Sequence, residues 1–137
     1  MSNTKPIGVA YTDQDIIGSQ YVLASEQLGY TADAQGTVTQ ATDKGTAVTL
    51  NKSMGRITMN NAALAGNTAV TFTLNNSLIS ANDVIILNIS GGATAAAYTT
   101  YVSSMTTGSA VVTLRNLTSG SLSEAVILNF SIIHGQS

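Results

Sequence analysis

Between positions 47 and 134 the chain is a succession of short runs in which apolar residues alternate with Thr, Asn and Ser, separated by Gly or by Asn-Ser clusters. A repeat of two places successive side chains on opposite faces of an extended backbone, so each run reads as a half-buried strand and not as a helix. The clearest case covers 69–75, where Val70, Phe72 and Leu74 stand against Thr71 and Thr73. The same rule sets Val48 and Leu50 against Thr49 and Asn51, and Ile57 and Met59 against Arg56, Thr58 and Asn60.

Applied along the chain, this periodicity predicts strands over 37–40, 47–51, 55–60, 69–75, 84–90, 98–105, 109–116 and 125–134. About eight strands with a turn signal every ten residues or so imply an all-β, antiparallel β-sandwich of jelly-roll-like or, alternatively, immunoglobulin-like kind. The first two strands read as a pair joined over Asp43-Lys44-Gly45. The last four, spaced by Gly91-Gly92, Gly108 and Gly120, read as consecutive antiparallel neighbours, because parallel pairing requires a longer crossover. Residues 76–83 read as a helical turn or wide corner, since Asn and Ser compete with a sheet ladder for backbone hydrogen bonds. The final strand is apolar on both faces, with Val126, Leu128, Phe130 and Ile132 on one and Ala125, Ile127 and Ile133 on the other. It is expected to be buried on both sides, the second by another subunit.

The organisation is therefore an N-terminal arm over 1–36 and a β-sandwich domain over 37–137. Gly8, Gly18, Gly29 and Gly36 punctuate the arm, and Pro6 holds Lys5 extended. Within it, 19–28 reads either as a short helix closed by Gly29 or as a strand through 20–24.

Charged residues make up only 9% of the chain, against about 25% in an ordinary domain. A skin of Thr, Ser, Asn, Ala and Gly suits permanent contact with neighbouring subunits better than life as a free monomer, which relies on surface charge. The charges that exist are unevenly placed: Lys5 against Asp13, Asp15, Glu26, Asp33 and Asp43 in the first 43 residues, then Lys44, Lys52, Arg56 and Arg115 against Asp83 and Glu124. A net charge of −2 and scattered basic residues argue against a nucleic-acid partner. No apolar run approaches the ~20 residues that span a bilayer, and no signal core follows Met1 to Lys5, so neither a membrane nor secretion is expected. Absence of Cys excludes disulfides and thiolate metal sites.

Catalysis would centre on His134, the only histidine, with a Ser hydroxyl and an acid such as Asp83 or Glu124. No nucleophile-elbow sequence surrounds any Ser, and His134 ends an apolar strand, which favours a structural role. The acidic residues are too dispersed, and too many lie in the arm, for a glycosidase pair. Asp13-Gln14-Asp15 has calcium-like spacing, but Ile16, Ile17 and Val22 occupy positions where oxygen ligands are needed. Asn-x-Ser/Thr sequons at Asn51, Asn75, Asn88, Asn116 and Asn129 follow from composition alone, and two of them fall inside strands. Tyr11, Tyr21, Tyr30, Tyr98 and Tyr101 offer stacking faces for sugars or bases, although packing is the better reading in a chain without Trp. The expectation is a protein that is not an enzyme, with no cofactor and no metal.

Three segments carry a resemblance: Gly55-Arg56-Ile57-Thr58-Met59-Asn60, Ala69-Val70-Thr71-Phe72-Thr73-Leu74, and Arg115-Asn116-Leu117-Thr118-Ser119-Gly120-Ser121-Leu122-Ser123-Glu124-Ala125-Val126. Together they resemble a module in structural proteins of tailed bacteriophages, over about 37–133, and Lys5-Pro6-Ile7-Gly8-Val9-Ala10-Tyr11 looks like the start of such virion proteins. The resemblance implies a capsid decoration, or cement, protein. Such a protein is a β-sandwich trimer on the outer surface of the phage head, made in the host bacterial cytoplasm, with the major capsid protein as partner and no catalytic residues. The related module also occurs in tail and fibre proteins, where it would bind a host receptor or surface carbohydrate through loops such as 91–97 and 117–123.

Overall fold

A computed structural model describes residues 18–135. It contains a 3-10 turn at Ala32–Ala34 and eight strands: β1 (Gln35–Thr39), β2 (Val48–Thr49), β3 (Met54–Thr58), β4 (Ala69–Asn75), β5 (Val84–Gly91), β6 (Tyr98–Thr106), β7 (Ser109–Asn116) and β8 (Ile127–Ile133). Two four-stranded sheets form a β-sandwich, one in the order β1-β3-β8-β5 and the other β2-β4-β7-β6. Among the described residues no helix is long and apolar enough to cross a membrane.

The alternation that defines each strand also fills the space between the sheets. Ile57 from β3, Phe72 and Leu74 from β4, Val112 and Leu114 from β7, and Leu128, Phe130 and Ile132 from β8 are all buried, with Val126 just before β8. The last two strands in sequence both take interior positions, β7 between β4 and β6 and β8 between β3 and β5. Gly55 faces the same core from β3. A Cβ there would stand 2.4 Å from the Phe130 ring and 2.5 Å from Leu50 Cδ2, so the absent side chain makes room for that aromatic ring.

Pairing departs from the expected hairpins. Only β6 and β7 form one, through Thr107 and Gly108, whose φ of 84° suits glycine. β5 pairs with β8, and β1 and β2 lie in opposite sheets. The physical reason is that the chain crosses between sheets after each of its first five strands. Strands that return to one sheet a full circuit later run in the same direction. β1 and β3 are accordingly parallel, as are β2 and β4, and the intervening strand across the sandwich supplies the crossover. Each sheet is thus an antiparallel set of three with one parallel edge, and this sets the sandwich apart from wholly antiparallel jelly rolls.

Two other expectations are corrected. Segment 19–28 is neither helix nor strand: every residue from 18 to 33 is exposed, and an isolated helix of that length does not hold in water. The outer face of β8 is not buried within the chain, since Ile127, Asn129 and Ser131 are half-buried and Ile133 is 54% exposed. The corner at 76–83 is present, without a helix, and Asn76 organises it. Asn76 Nδ2 donates to Lys52 O at 2.7 Å, Leu78 N donates to Asn76 Oδ1 at 3.0 Å, and Gly108 N from the hairpin tip donates to Ile79 O at 2.8 Å.

Gly55→Ala is expected to destabilise the sandwich by about 1–3 kcal/mol through overpacking. Urea denaturation measures the loss, and the added substitution Phe130→Leu should recover part of it.

Candidate functional site

Polar side chains gather at both ends of the sandwich. At the end where β5 begins and β8 stops, Asp83 is buried. Its Oδ2 accepts from Ser80 N at 2.8 Å and lies 3.1 Å from His134 Nδ1, while its Oδ1 accepts from Ser80 Oγ at 2.8 Å and from Gly135 N at 3.1 Å. The Ser80 backbone amide, then the Ser80 hydroxyl, Gly135 amide and His134, lower the Asp83 pKa to about 2 despite the opposing effect of burial. The structure therefore brings together Ser80, His134 and Asp83, the residue types considered for a triad, but in an unproductive order. A triad needs the imidazole between hydroxyl and carboxylate. Here the carboxylate sits in the middle, and the Ser80 proton points at the acid. The set acts as a lock that ties the 76–83 corner to the segment after β8.

At the opposite end, Lys44 is buried with 3% exposure and donates to the backbone carbonyls of Asn60 and Glu124. Burial lowers its pKa, and the Glu124 charge partly opposes that shift. Gln40, also buried, donates to Lys44 O and Thr46 O at 2.9 Å each and accepts from Asn60 N at 3.0 Å. The Glu124 carboxylate accepts from Thr94 Oγ1 at 2.7 Å and Thr94 N at 3.2 Å. Those two Thr94 bonds come first among the causes that lower the Glu124 pKa. Tyr98 is buried beside Glu124, yet its hydroxyl makes no well-aligned hydrogen bond; burial first, then the Glu124 carboxylate, push its pKa up to about 12. Lys44 thus fastens the 41–47 loop, which leads from β1 to β2 in the opposite sheet, to the segments just after β3 and just before β8. Sequence reasoning passed over Gln40 and took Lys44 for a turn residue.

The remaining sequence candidates are dispersed. Asp43 Oδ1 accepts from Gly45 N at 2.8 Å within its own turn, and Asp33 accepts from the Thr31 hydroxyl. Asp83 and Glu124 occupy opposite ends. Tyr101 and Tyr21 are exposed, and Tyr30 donates to Ile132 O of β8. Tyr11 and the Asp13-Gln14-Asp15 spacing lie outside the described residues. Asn116 is fully buried, donating to Leu64 O at 3.0 Å and Gly120 O at 2.8 Å and accepting from Thr118 N at 2.9 Å, so its sequon is an interior clamp. Among the described residues, no group of three or more His, Asp or Glu side chains comes together as a metal would require.

The outer face of the β1-β3-β8-β5 sheet carries the exposed apolar side chains of strands β5 and β8. Strand register arranges it in cross-strand rows. Val84 and Ile133 form the first, Gln35, Met54, Ser131 and Ile86 the second, Thr37, Arg56, Asn129 and Asn88 the third, and Thr39, Thr58 and Ile127 the fourth. Val84, Ile86 and Ile133 are more than half exposed. Leu28, Gly29 and Tyr30 border the first two rows and enclose with them a groove of about 530 Å³. Arg56 is the only charged side chain in these rows. Compared with known proteins, the chain matches no family model, no curated protein and no solved structure.

The Asp83 carboxyl has its folded pKa below the unfolded value of 3.8, so its stabilising contribution is present above pH 3.8 and is lost as pH falls through about 2. Asp83→Asn should flatten that acid limb in thermal melts recorded between pH 2 and 5. Lys44→Met leaves two carbonyls without their donor and should cost about 1–3 kcal/mol. Tyr98→Phe, which deletes only the unpartnered hydroxyl, should leave stability at pH 7 unchanged or raised.

Proposed function

We propose that this protein is a virion structural component, a capsid decoration or cement protein that binds the outer surface of a phage head as a trimer and stabilises the capsid lattice. The observation that carries this reading is the outer sheet face, where Val84, Ile86 and Ile133 stand exposed beside a groove. A patch of that kind on a chain with 9% charge favours contact with other polypeptides. The β-sandwich agrees with the resemblance of residues 37–133 to phage structural modules. The buried polar sets at the two ends serve the fold, which supports a role without catalysis. Self-association and attachment to the major capsid protein then act together, each bound copy raising the effective concentration of the next contact.

The trimer should appear in light scattering as a particle of about 42 kDa, three times the 14.0 kDa chain. Gold-labelled protein added to undecorated phage heads should cover the head uniformly. Label confined to the tail or its fibres would transfer the protein to the alternative, a module binding a host receptor or surface carbohydrate, with Tyr101 exposed on the opposite sheet as its stacking face.

A further inference from the structure

The arm and the outer sheet face are each incomplete. Tyr30 fastens the chain to β8 at Ile132 O, and the segment before it leads away from the sandwich, exposed at every residue from 18 to 28. Leu23 and Leu28 are each 87% exposed, and Tyr21 and Val22 are also uncovered, an arrangement that costs free energy in water unless another surface receives them. The first two rows of the outer face, with Leu28, Gly29 and Tyr30 as a wall, form an apolar groove that the rest of the described chain leaves unfilled, and the polar row of Arg56 lies beside it.

We propose that this face receives the arm, residues 20–28, of a second copy of the same chain, with Glu26 of that copy opposite Arg56. The inference rests on the self-association proposed above and names the segment and the face that meet. Two observations select a second copy as occupant. The first is charge complementarity. Between residues 18 and 43 the chain carries Glu26, Asp33 and Asp43 and no base, whereas the rows of the face carry Arg56 and no acid. Among the described residues, neither Glu26 nor Arg56 takes part in an ion pair.

The second is spacing. In an extended arm Glu26 and Leu28 project to the same side about 6.6 Å apart. Neighbouring rows of the sheet are also two residues apart along each strand, so they share that repeat. With Leu28 of the second copy over the Met54 and Ile86 row, its Glu26 falls on the Arg56 row. Residues 18–28 span about 33 Å when extended, against about 20 Å from the first row to the fourth along the strands, so an arm running parallel to the strands is long enough to follow a neighbouring face.

The test uses the full chain and charge reversal. Arg56→Glu, an exposed substitution whose fold is checked by circular dichroism, should weaken self-association at least tenfold or so in sedimentation equilibrium, because it sets like charges face to face. Combining it with Glu26→Arg should restore association to near the unaltered level. The chain has no cysteine, so mixing a Glu26→Cys preparation with an Arg56→Cys preparation reports contacts between copies alone, and a disulfide-linked heterodimer is expected on oxidation. An assembly indifferent to both charge variants and giving no heterodimer would overturn the arm exchange while leaving the proposed trimer standing. A monomer at 100-fold the concentration used for light scattering would overturn both and hand the face to a foreign protein.

Discussion

The sandwich depends on one row of side chains. Val126, Leu128, Phe130 and Ile132 lie on a single face of the last strand and its approach, each almost wholly removed from water, and meet Val112 and Leu114 from the middle of the opposite sheet. Each such side chain contributes about 1.5–3 kcal/mol of burial relative to exposure. β8 also provides the hydrogen-bond partners of both β3 and β5, so its sheet is held together from this one position. Gly55 is part of the same constraint, because Phe130 fits only where β3 has no side chain.

Polar groups complete what the apolar row begins. The connections between sheets are long and carry backbone groups toward the interior, where each needs a partner. Buried Gln40, Lys44, Asn76, Asp83 and Asn116 supply those partners at the two ends. Asn60, Asn76 and Asn116 repeat one device, each accepting from the amide two residues further on. The abundance of Asn in this chain is thus partly a consequence of its many sheet-to-sheet crossings, and the two titratable clusters are fastenings of the same kind.

Strand positions were legible because a period of two is a local property, and Val70, Phe72 and Leu74 or Ile57 and Met59 declare their inner face without reference to anything distant. Partner choice was not legible. Nothing local distinguishes a turn that folds β5 back on itself from one that carries the chain across to the other sheet, so the pairing of β5 with β8 and the parallel edges came only with the structure. Of the polar residues, His134 could be set against Asp83 or Glu124 from chemistry alone, and it meets Asp83 while Glu124 binds Thr94 at the opposite end. Lys44 beside Gly45 has the local look of a surface turn, and only the three-dimensional path of the 41–47 loop turns it inward. Segment 19–28 misled in the other direction, since its apolar residues Tyr21, Val22, Leu23 and Leu28 remain exposed on the described chain.

The interior placement of the two last-made strands, each between two earlier ones, governs how the molecule comes into being. From Asn75 at the end of β4 to Ile127 at the start of β8 the ribosome adds about 52 residues, a matter of roughly 3–10 s at ordinary translation speed. During that interval β4 waits for β7 until residues 109–116 are made and β3 waits for β8 throughout, their apolar sides and free amides open to any other unfinished chain. Birth of this protein is therefore a race between completion and clumping, and a slow codon ahead of residue 127 would lengthen its most vulnerable moment.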